Sequence, residues 1–486
     1  MLHAHFAALA RVPEPLRDGV ARLRDALDVP DGFPPEVLRE AEAAASGVEL
    51  PDADRTDLEL VTIDPAGSKD LDQALHLARE GDGYVVHYAI ADVAAFVRPG
   101  GAIDAEAHRR GETLYAPSMR TPLHPPVLSE GATSLLPDQL RPALLWEIHL
   151  DADGRLDRAS VSRARVRSRA QLTYEGVQAM LDAGTASESL RLLETVGRLR
   201  QRREIERGGV SLQVPEQEVV AEDGRWRLEY RCTLPVEEWN AQISLLTGFS
   251  AARIMMDGRI GILRTLPPAE QQDVDKLRHI AKGLRLAWPG AMGYPEFVRS
   301  LDPAVPAEAA MLNACARLFR GAGYSAFDGE VPKQPLHAAL AADYAHCTAP
   351  LRRLVDRYAG ETCVALCAGE PVPEWVRAAL PGLPREMDAA SDRGRKYERG
   401  IIDLVEALVI QRHVGQTLTG VVIEAGARGG VVQIADPAVE ARVTGPVQLG
   451  AEVAVTPVSA DLSTGSVKLV EAPGAGEASE VGRPGA

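Results

Sequence analysis

Apolar and polar positions change their period three times along the chain. Over residues 1–50, the runs FAALARV, LRDGVARLRDAL and PPEVLREAEAAA place apolar residues at helical spacing between Pro and Gly breaks, with Pro34-Pro35 suited to a helix start. They predict short helices, either a helical cap or a small module of helix-turn-helix type. From Leu58 the pattern turns to β, with LELVTI and then YVVHYAIADV (84–93) set apart by a Gly-Asp-Gly turn. The run VSRARVRSR (161–169) projects Arg163, Arg165, Arg167 and Arg169 from one strand face, as a solvated surface or as a stripe for phosphates. Helical periodicity predicts helices at about 175–208, 236–258, 270–285, 306–322, 351–369 and 386–413. After Gly415, short β runs broken by Gly predict a small barrel, and the Gly-, Pro- and Glu-rich end predicts a disordered tail.

The 486 residues have room for about three domains, and 45% apolar with 25% charged residues is the composition of a folded globular protein. The formal charge of −16 disfavours a protein that coats duplex DNA, though a local basic channel is compatible with it. Cys232, Cys315, Cys347, Cys363 and Cys367 are odd in number and form no CxxC, so neither a disulfide framework nor a zinc ribbon is expected. A reducing cytoplasm fits this usage. No secretory leader and no apolar run long enough for a membrane span is apparent, so no membrane association is expected.

The chemistry begins at TIDPAGSKDLDQA (62–74), where Asp64, Asp70 and Asp72 crowd a loop behind a strand and Gln73 follows. Carboxylates this close repel, which is tolerable when a cation sits among them or when all face water. Hard oxygen donors favour Mg²⁺ or Mn²⁺, and such an ion beside an Arg suits phosphoryl chemistry. A solvated acidic loop remains open on these residues alone. An EF-hand is not, because the Glu at its twelfth position is missing.

Further segments shift that balance: YAIADVAAFVRPGGAIDAEAHRRGETLYAP (88–117), PLHPPVLSEGATSLLPDQLRPAL (122–144), SRAQLTYEGV (168–177) and HAALAADYAHCTAPLRRLVDRY (337–358). With the acidic loop, they resemble the RNB-domain exoribonucleases, ribonuclease II and ribonuclease R, across residues 55–475. The resemblance implies an α+β chain: a helical segment at 1–54, a large mixed α/β catalytic domain at 55–412, an OB-fold RNA-binding barrel at 413–472 and a tail at 473–486. It implies hydrolysis of single-stranded RNA from the 3′ end to nucleoside 5′-monophosphates by two divalent ions, Mg²⁺ or Mn²⁺. Single-stranded RNA is the implied partner, with structured RNA bearing 3′ overhangs a further candidate, and no protein partner is evident.

Residue by residue, Asp64, Asp70 and Asp72 match family metal ligands, and Tyr115 matches the tyrosine that packs on the terminal nucleotide. Arg352 matches the arginine on the scissile phosphate. Arg353 is a second phosphate contact or a helix-surface residue, and Arg167 and Arg169 are candidate RNA contacts. Glu398 approximately matches a glutamate near the terminal nucleotide, while Glu238 and Asn240 are expected to support the channel side. His337 and His346 are expected to be structural. Gln73 stands where the family has its fourth Asp: its carbonyl can ligate a cation but supplies no charge and accepts no proton. That departure leaves an RNA-binding relative with weak catalysis as the alternative, and a small-substrate phosphatase as a third class. Family members carry cold-shock barrels that about 55 residues cannot hold, and residues 415–472 contain no aromatic side chain, which leaves Arg428 and Arg442 as backbone contacts.

Overall fold

The computed structural model describes residues 13–472 apart from 117–118, 211–215, 223–224, 232, 304 and 320. The expected helix FAALARV, Cys232 and the Gly-rich tail fall outside the described residues. In chain order the elements are α1 (Glu14–Ala26), α2 (Pro35–Gly47), β1 (Leu60–Asp64), β2 (Gln73–Glu80), β3 (Gly83–Ala91), α3 (Ala102–Arg110), β4 (Leu114–Ala116), β5 (Met119–Thr121), β6 (Leu140–Leu150) and β7 (Leu156–Thr173). There follow α4 (Tyr174–Asp182), α5 (Glu188–Arg207), β8 (Glu216–Glu222), β9 (Arg225–Arg231), α6 (Pro235–Gly258), β10 (Ile260–Thr265), α7 (Gln271–Gly283), α8 (Tyr294–Arg299), α9 (Pro306–Cys315) and β11 (Gly323–Asp328). The chain then runs through β12 (Leu336–His337), β13 (Ala342–Asp343), α10 (Leu354–Ala368), α11 (Glu374–Ala379), α12 (Leu383–Ile410), β14 (Leu418–Gly426), β15 (Gly429–Ile434), β16 (Val439–Thr444), β17 (Glu452–Asp461) and β18 (Ser466–Glu471).

Two closed five-stranded barrels organise this α+β chain, one of β1-β2-β3-β6-β7 and one of β14-β15-β16-β18-β17. In the first, β1 pairs in parallel with β7 and the remaining neighbours are antiparallel. Alternation sorts its side chains: Val86, Tyr88, Ile90, Trp146 and Ile148 join the core beneath α5, α6 and α10, while Ala89, Ala91, Ala143 and Leu145 join a smaller cluster with α2 and α3. A third core runs from Leu16 and Val20 of α1 through Tyr397, Leu404 and Val405 of α12 into the second barrel, and it includes Leu114 and Ala116 of β4. Close approach of α1 and α12 depends on small residues, since a Cβ on Gly19 would meet Leu404 at 2.7 Å and one on Gly400 would meet Leu23 at 2.7 Å.

Some elements differ from expectation. The helix expected over 175–208 is two, because Gly184 takes a positive φ of 69° and Ser187 caps a new start by accepting from Leu190 N–H. The helix expected over 306–322 is α-helical to Cys315 and runs on as a 3-10 turn over Ala316–Phe319 before β11. The helix expected from 351 begins at Leu354, because Arg352 and Arg353 are held in a turn against residues 111–113. Of the Arg stripe at 163–169 on β7, Arg163 pairs with Asp92 at 2.9 Å and with Glu361, Arg165 pairs with Asp54 at 2.8 Å, and Arg169 donates to Thr56 O at 2.6 Å. The stripe therefore first binds the barrel to its own neighbours, with Arg167 half-buried beside them. Among the described residues, no helix is long and apolar enough to cross a membrane.

Gly111 fixes how the chain leaves α3 for β4. Its φ is 72°, and a Cβ there would lie 2.4 Å from Ala390 Cβ on α12. Gly111→Ala is expected to lower stability by roughly 1–3 kcal/mol, read from urea unfolding. An unchanged midpoint contradicts the close packing of α12 on this turn.

Candidate active site

Three segments far apart in sequence meet at the end of β1. Asp64 is the last residue of that strand, Asp70 and Asp72 lie on the loop to β2, and Gln73 opens β2. Ser134 fixes the loop: its hydroxyl donates to Lys69 O at 2.6 Å and accepts from Leu71 N–H at 2.9 Å, while Leu135 N–H donates to Leu71 O at 3.0 Å. Asp72 is buried, and its Oδ1 accepts from Leu351 N–H at 2.8 Å. Its Oδ2 lies 3.8 Å from Arg352 Nε.

The turn that carries Arg352 is stitched to the exit of α3. Thr113 N–H donates to Arg352 O at 3.0 Å, and Leu354 N–H donates to Gly111 O at 2.9 Å. That pairing sets Arg352 beside β4, where Tyr115 as a whole residue is 36% exposed while its hydroxyl end is buried. Burial first, then the nearby Asp70 charge, pushes the Tyr115 hydroxyl above its ordinary range, keeping it a neutral donor.

Charge is tightly managed here. Burial, reinforced by Asp70, pushes the Asp64 carboxyl up to about 7, and burial pushes Asp72 well above the usual carboxylate range although Arg352 opposes it. Asp64 Oδ2 is buried and accepts no hydrogen bond among the described residues. Asp70 is engaged: Arg120 Nη1 on β5 donates to its Oδ1 at 2.5 Å, and Arg120 also pairs with Glu130. As they stand, no three His, Cys, Asp or Glu side chains among the described residues form a ready cage for an ion. The Gln73 amide nitrogen donates to Thr348 O, which leaves its carbonyl oxygen as the one atom of that side chain able to accept or ligate.

The other expected site residues fall at varying depth. Arg353 is half-buried and bidentate on the buried Asp356, with Nε and Nη2 each at 2.8 Å, and Asp356 also accepts from Ala349 N–H at 2.7 Å. That pair braces the turn and directs the Arg353 guanidinium away from solvent. Glu398 is half-buried on α12, one turn after Gly394, where a Cβ would meet Glu112 and Leu114 beside Tyr115. Asn240 donates to the Tyr174 hydroxyl at 3.3 Å, and Glu238 accepts from Gln201 at 2.8 Å. His346 is half-buried and meets the Tyr324 hydroxyl at 2.7 Å, and His337 packs edge-on against Tyr344. Arg428 and Arg442 are exposed on the second barrel.

Arg120, Glu130, Ser134 and Tyr174 escape a reading of the sequence. Each owes its place to a contact across the fold, and only the alternation along β4 and β5 could have placed Arg120 opposite Tyr115.

Residues 53–363 match the RNB domain, and residues 416–472 match the RNase II-type exonuclease C-terminal S1 domain. The chain is 27% identical over 440 residues to Ribonuclease R of Aquifex aeolicus, covering 86% of this chain and 61% of that protein. It is 27% identical over 433 residues to Ribonuclease R of Escherichia coli, covering 83% and 52%. It thus spans between about half and three-fifths of these relatives' length. Mycoplasma genitalium RNase R, solved with ribose methylated single-stranded RNA, superposes with a TM-score of 0.84 at 19% identity over 96% of this chain and 79% of that one. Yeast Ssd1, a pseudonuclease, superposes with a TM-score of 0.68 at 18% identity over 86% and 52%. At such identities the superpositions establish the fold.

Asp64 offers a test of this electrostatic arrangement. An unfolded Asp titrates near ~3.9, so the native state holds this proton to higher pH, and ionising Asp64 weighs against the fold as pH rises from ~4 to about 7, above which the loss is complete. With chelator present, Asp64→Asn is expected to melt above the parent protein at pH 8 and level with it at pH 4. An equal difference at both pH values contradicts the burial of this carboxylate.

Proposed function

We propose that this chain, which belongs to the RNB domain family, is a metal-dependent exoribonuclease that hydrolyses single-stranded RNA from the 3′ end to nucleoside 5′-monophosphates. The observation that carries this reading is the junction of Asp72 with Leu351 and Arg352, tied by backbone hydrogen bonds to the strand of Tyr115. Carboxylates, a guanidinium fork and a partly exposed aromatic side chain gathered in this way suit hydrolysis at a phosphodiester, and so support the reading. The named activity of the relatives and the RNA held by a protein of this fold support the same reading.

Asp64, Asp70 and Asp72, with the Gln73 carbonyl, are the residues to hold Mg²⁺ or Mn²⁺. The donor set is hard oxygen throughout, and the unpartnered, buried Asp64 Oδ2 lacks the donor that a cation would replace. When bound, such an ion supplies Lewis acidity to the phosphodiester and activates water. Leu351 N–H keeps Asp72 in one orientation. Arg352, with its fork of donors, meets the charge that grows on the phosphate. Tyr115 offers a ring face to the terminal base, and Glu398 stands on the α12 face that approaches that strand. Arg353 acts through its hold on Asp356, and Arg167 and Arg169 are candidates for the strand's outer phosphates. RNA structured near a 3′ overhang is a second class of substrate for the same site.

An RNA-binding protein with weak catalysis is the second reading, favoured by one observation: the Gln73 amide is committed to Thr348 O and supplies no charge to the site. Hydrolysis of a 5′-labelled oligoribonucleotide is expected from the parent protein, with Asp72→Asn reducing it at least ~100-fold and Arg352→Lys about 10²–10³-fold. Equal cleavage by parent and Asp72→Asn contradicts the assignment. Cleavage by Gln73→Asp alone supports the second reading, and preference for a nitrophenyl phosphate over RNA supports a phosphatase.

A further inference from the structure

Arg120 is the cation that the acidic loop already holds. It sits on β5 directly opposite Tyr115, and its guanidinium bridges Asp70 and Glu130. Glu130 rides in a single π-helical turn, Leu128–Ala132, a geometry that recurs at functional positions. The three side chains are 18–25% exposed, so ions and a polyanion can reach the bridge. Behind it the strand is anchored: Arg24 of α1 donates to Thr121 Oγ1 at 2.8 Å, and Arg110 donates to Pro122 O at 3.0 Å.

Asp70 cannot give the same oxygen to Arg120 and to a divalent ion without bringing two cations together. A phosphate is the anion best suited to draw a guanidinium away, because it matches the same fork geometry. A last nucleotide stacked on Tyr115 would bring the backbone phosphates next to it toward the neighbouring strand, where Arg120 stands.

We infer that Arg120 is a built-in counter-cation that occupies Asp70 while the site holds no RNA and moves to a phosphate of the incoming strand, so that RNA and the divalent ion bind cooperatively. This rests on the proposed function and extends it to the order in which the site is loaded. Arg120 is thus a positioning residue, acting through Asp70. Glu130 keeps hold of the second arm of the fork, so the movement is short and reversible. Reciprocity follows: whatever factor RNA adds to ion affinity, the ion adds to RNA affinity.

The test is Mn²⁺ binding to the full chain, read from free Mn²⁺ by electron paramagnetic resonance, with and without a 2′-O-methyl oligoadenylate. For the parent protein the oligonucleotide is expected to tighten Mn²⁺ about tenfold, within the usual range of coupling between sites. Arg120→Gln is expected to bind Mn²⁺ tightly without the oligonucleotide and to gain little from it. Arg120→Lys, which keeps the charge and loses the fork, is expected to fall between, and it provides the reading should Arg120→Gln not fold. If neither variant binds Mn²⁺ more tightly than the parent without the oligonucleotide, or if both keep the parent's response to it, the inference is overturned while the metal site stands. If no protein binds Mn²⁺ under either condition, the proposed function fails with it.

Discussion

The hydrogen bond from Leu351 N–H to Asp72 joins positions 279 residues apart, and the arrangement of the site depends on it. A carboxylate as deeply buried as Asp72 is costly unless donors and a positive charge face it. Leu351 provides the donor and Arg352, the next residue, provides the charge. One turn of backbone therefore both stabilises the acid and aims the Arg352 guanidinium. The Arg353–Asp356 pair holds that turn from within, and the backbone bonds to Gly111 and Thr113 hold it from the side of Tyr115.

Those local bonds need a rigid frame, and the frame comes from packing at a distance. The long helix α12 shares one core with α1, the second barrel and the strand of Tyr115, so the aromatic ring and the candidate RNA-binding barrel are fixed to the same helix. The first barrel does the same for the acids, since β1 and β2 bracket the loop and Ser134 ties its middle down. The small residues where α1 meets α12 allow the approach that this shared core requires. Stability and site geometry are consequently set by the same contacts.

The α+β class and the terminal barrel are legible in the sequence because each shows in local periodicity and Gly spacing. The acidic loop is legible for a different reason: crowded carboxylates are chemically unusual, and Arg352 and Tyr115 stand out through the segments that resemble the RNB-domain enzymes. Periodicity could not show that Arg353 turns inward to Asp356, because a pair of adjacent arginines reads alike whether buried or exposed. Nor could it show that Arg163, Arg165 and Arg169 of the β7 stripe are tied to Asp54, Thr56, Asp92 and Glu361, since those partners lie elsewhere in the chain. The bridge from Arg120 to Asp70 and Glu130 has no local signature at all. It exists only once β5 is folded over the loop.

The central claim is that these carboxylates, Arg352 and Tyr115 make a metal-dependent enzyme that removes nucleotides from the 3′ end of RNA. It is tested most directly by digesting one oligoribonucleotide labelled at its 3′ end in one sample and at its 5′ end in another, with Mg²⁺ and then with chelator. The account predicts that the 3′ label appears at once as mononucleotide, that the 5′ label descends as a ladder, and that chelator stops both. Internal fragments from the 5′-labelled strand, or digestion that persists in chelator, would contradict it.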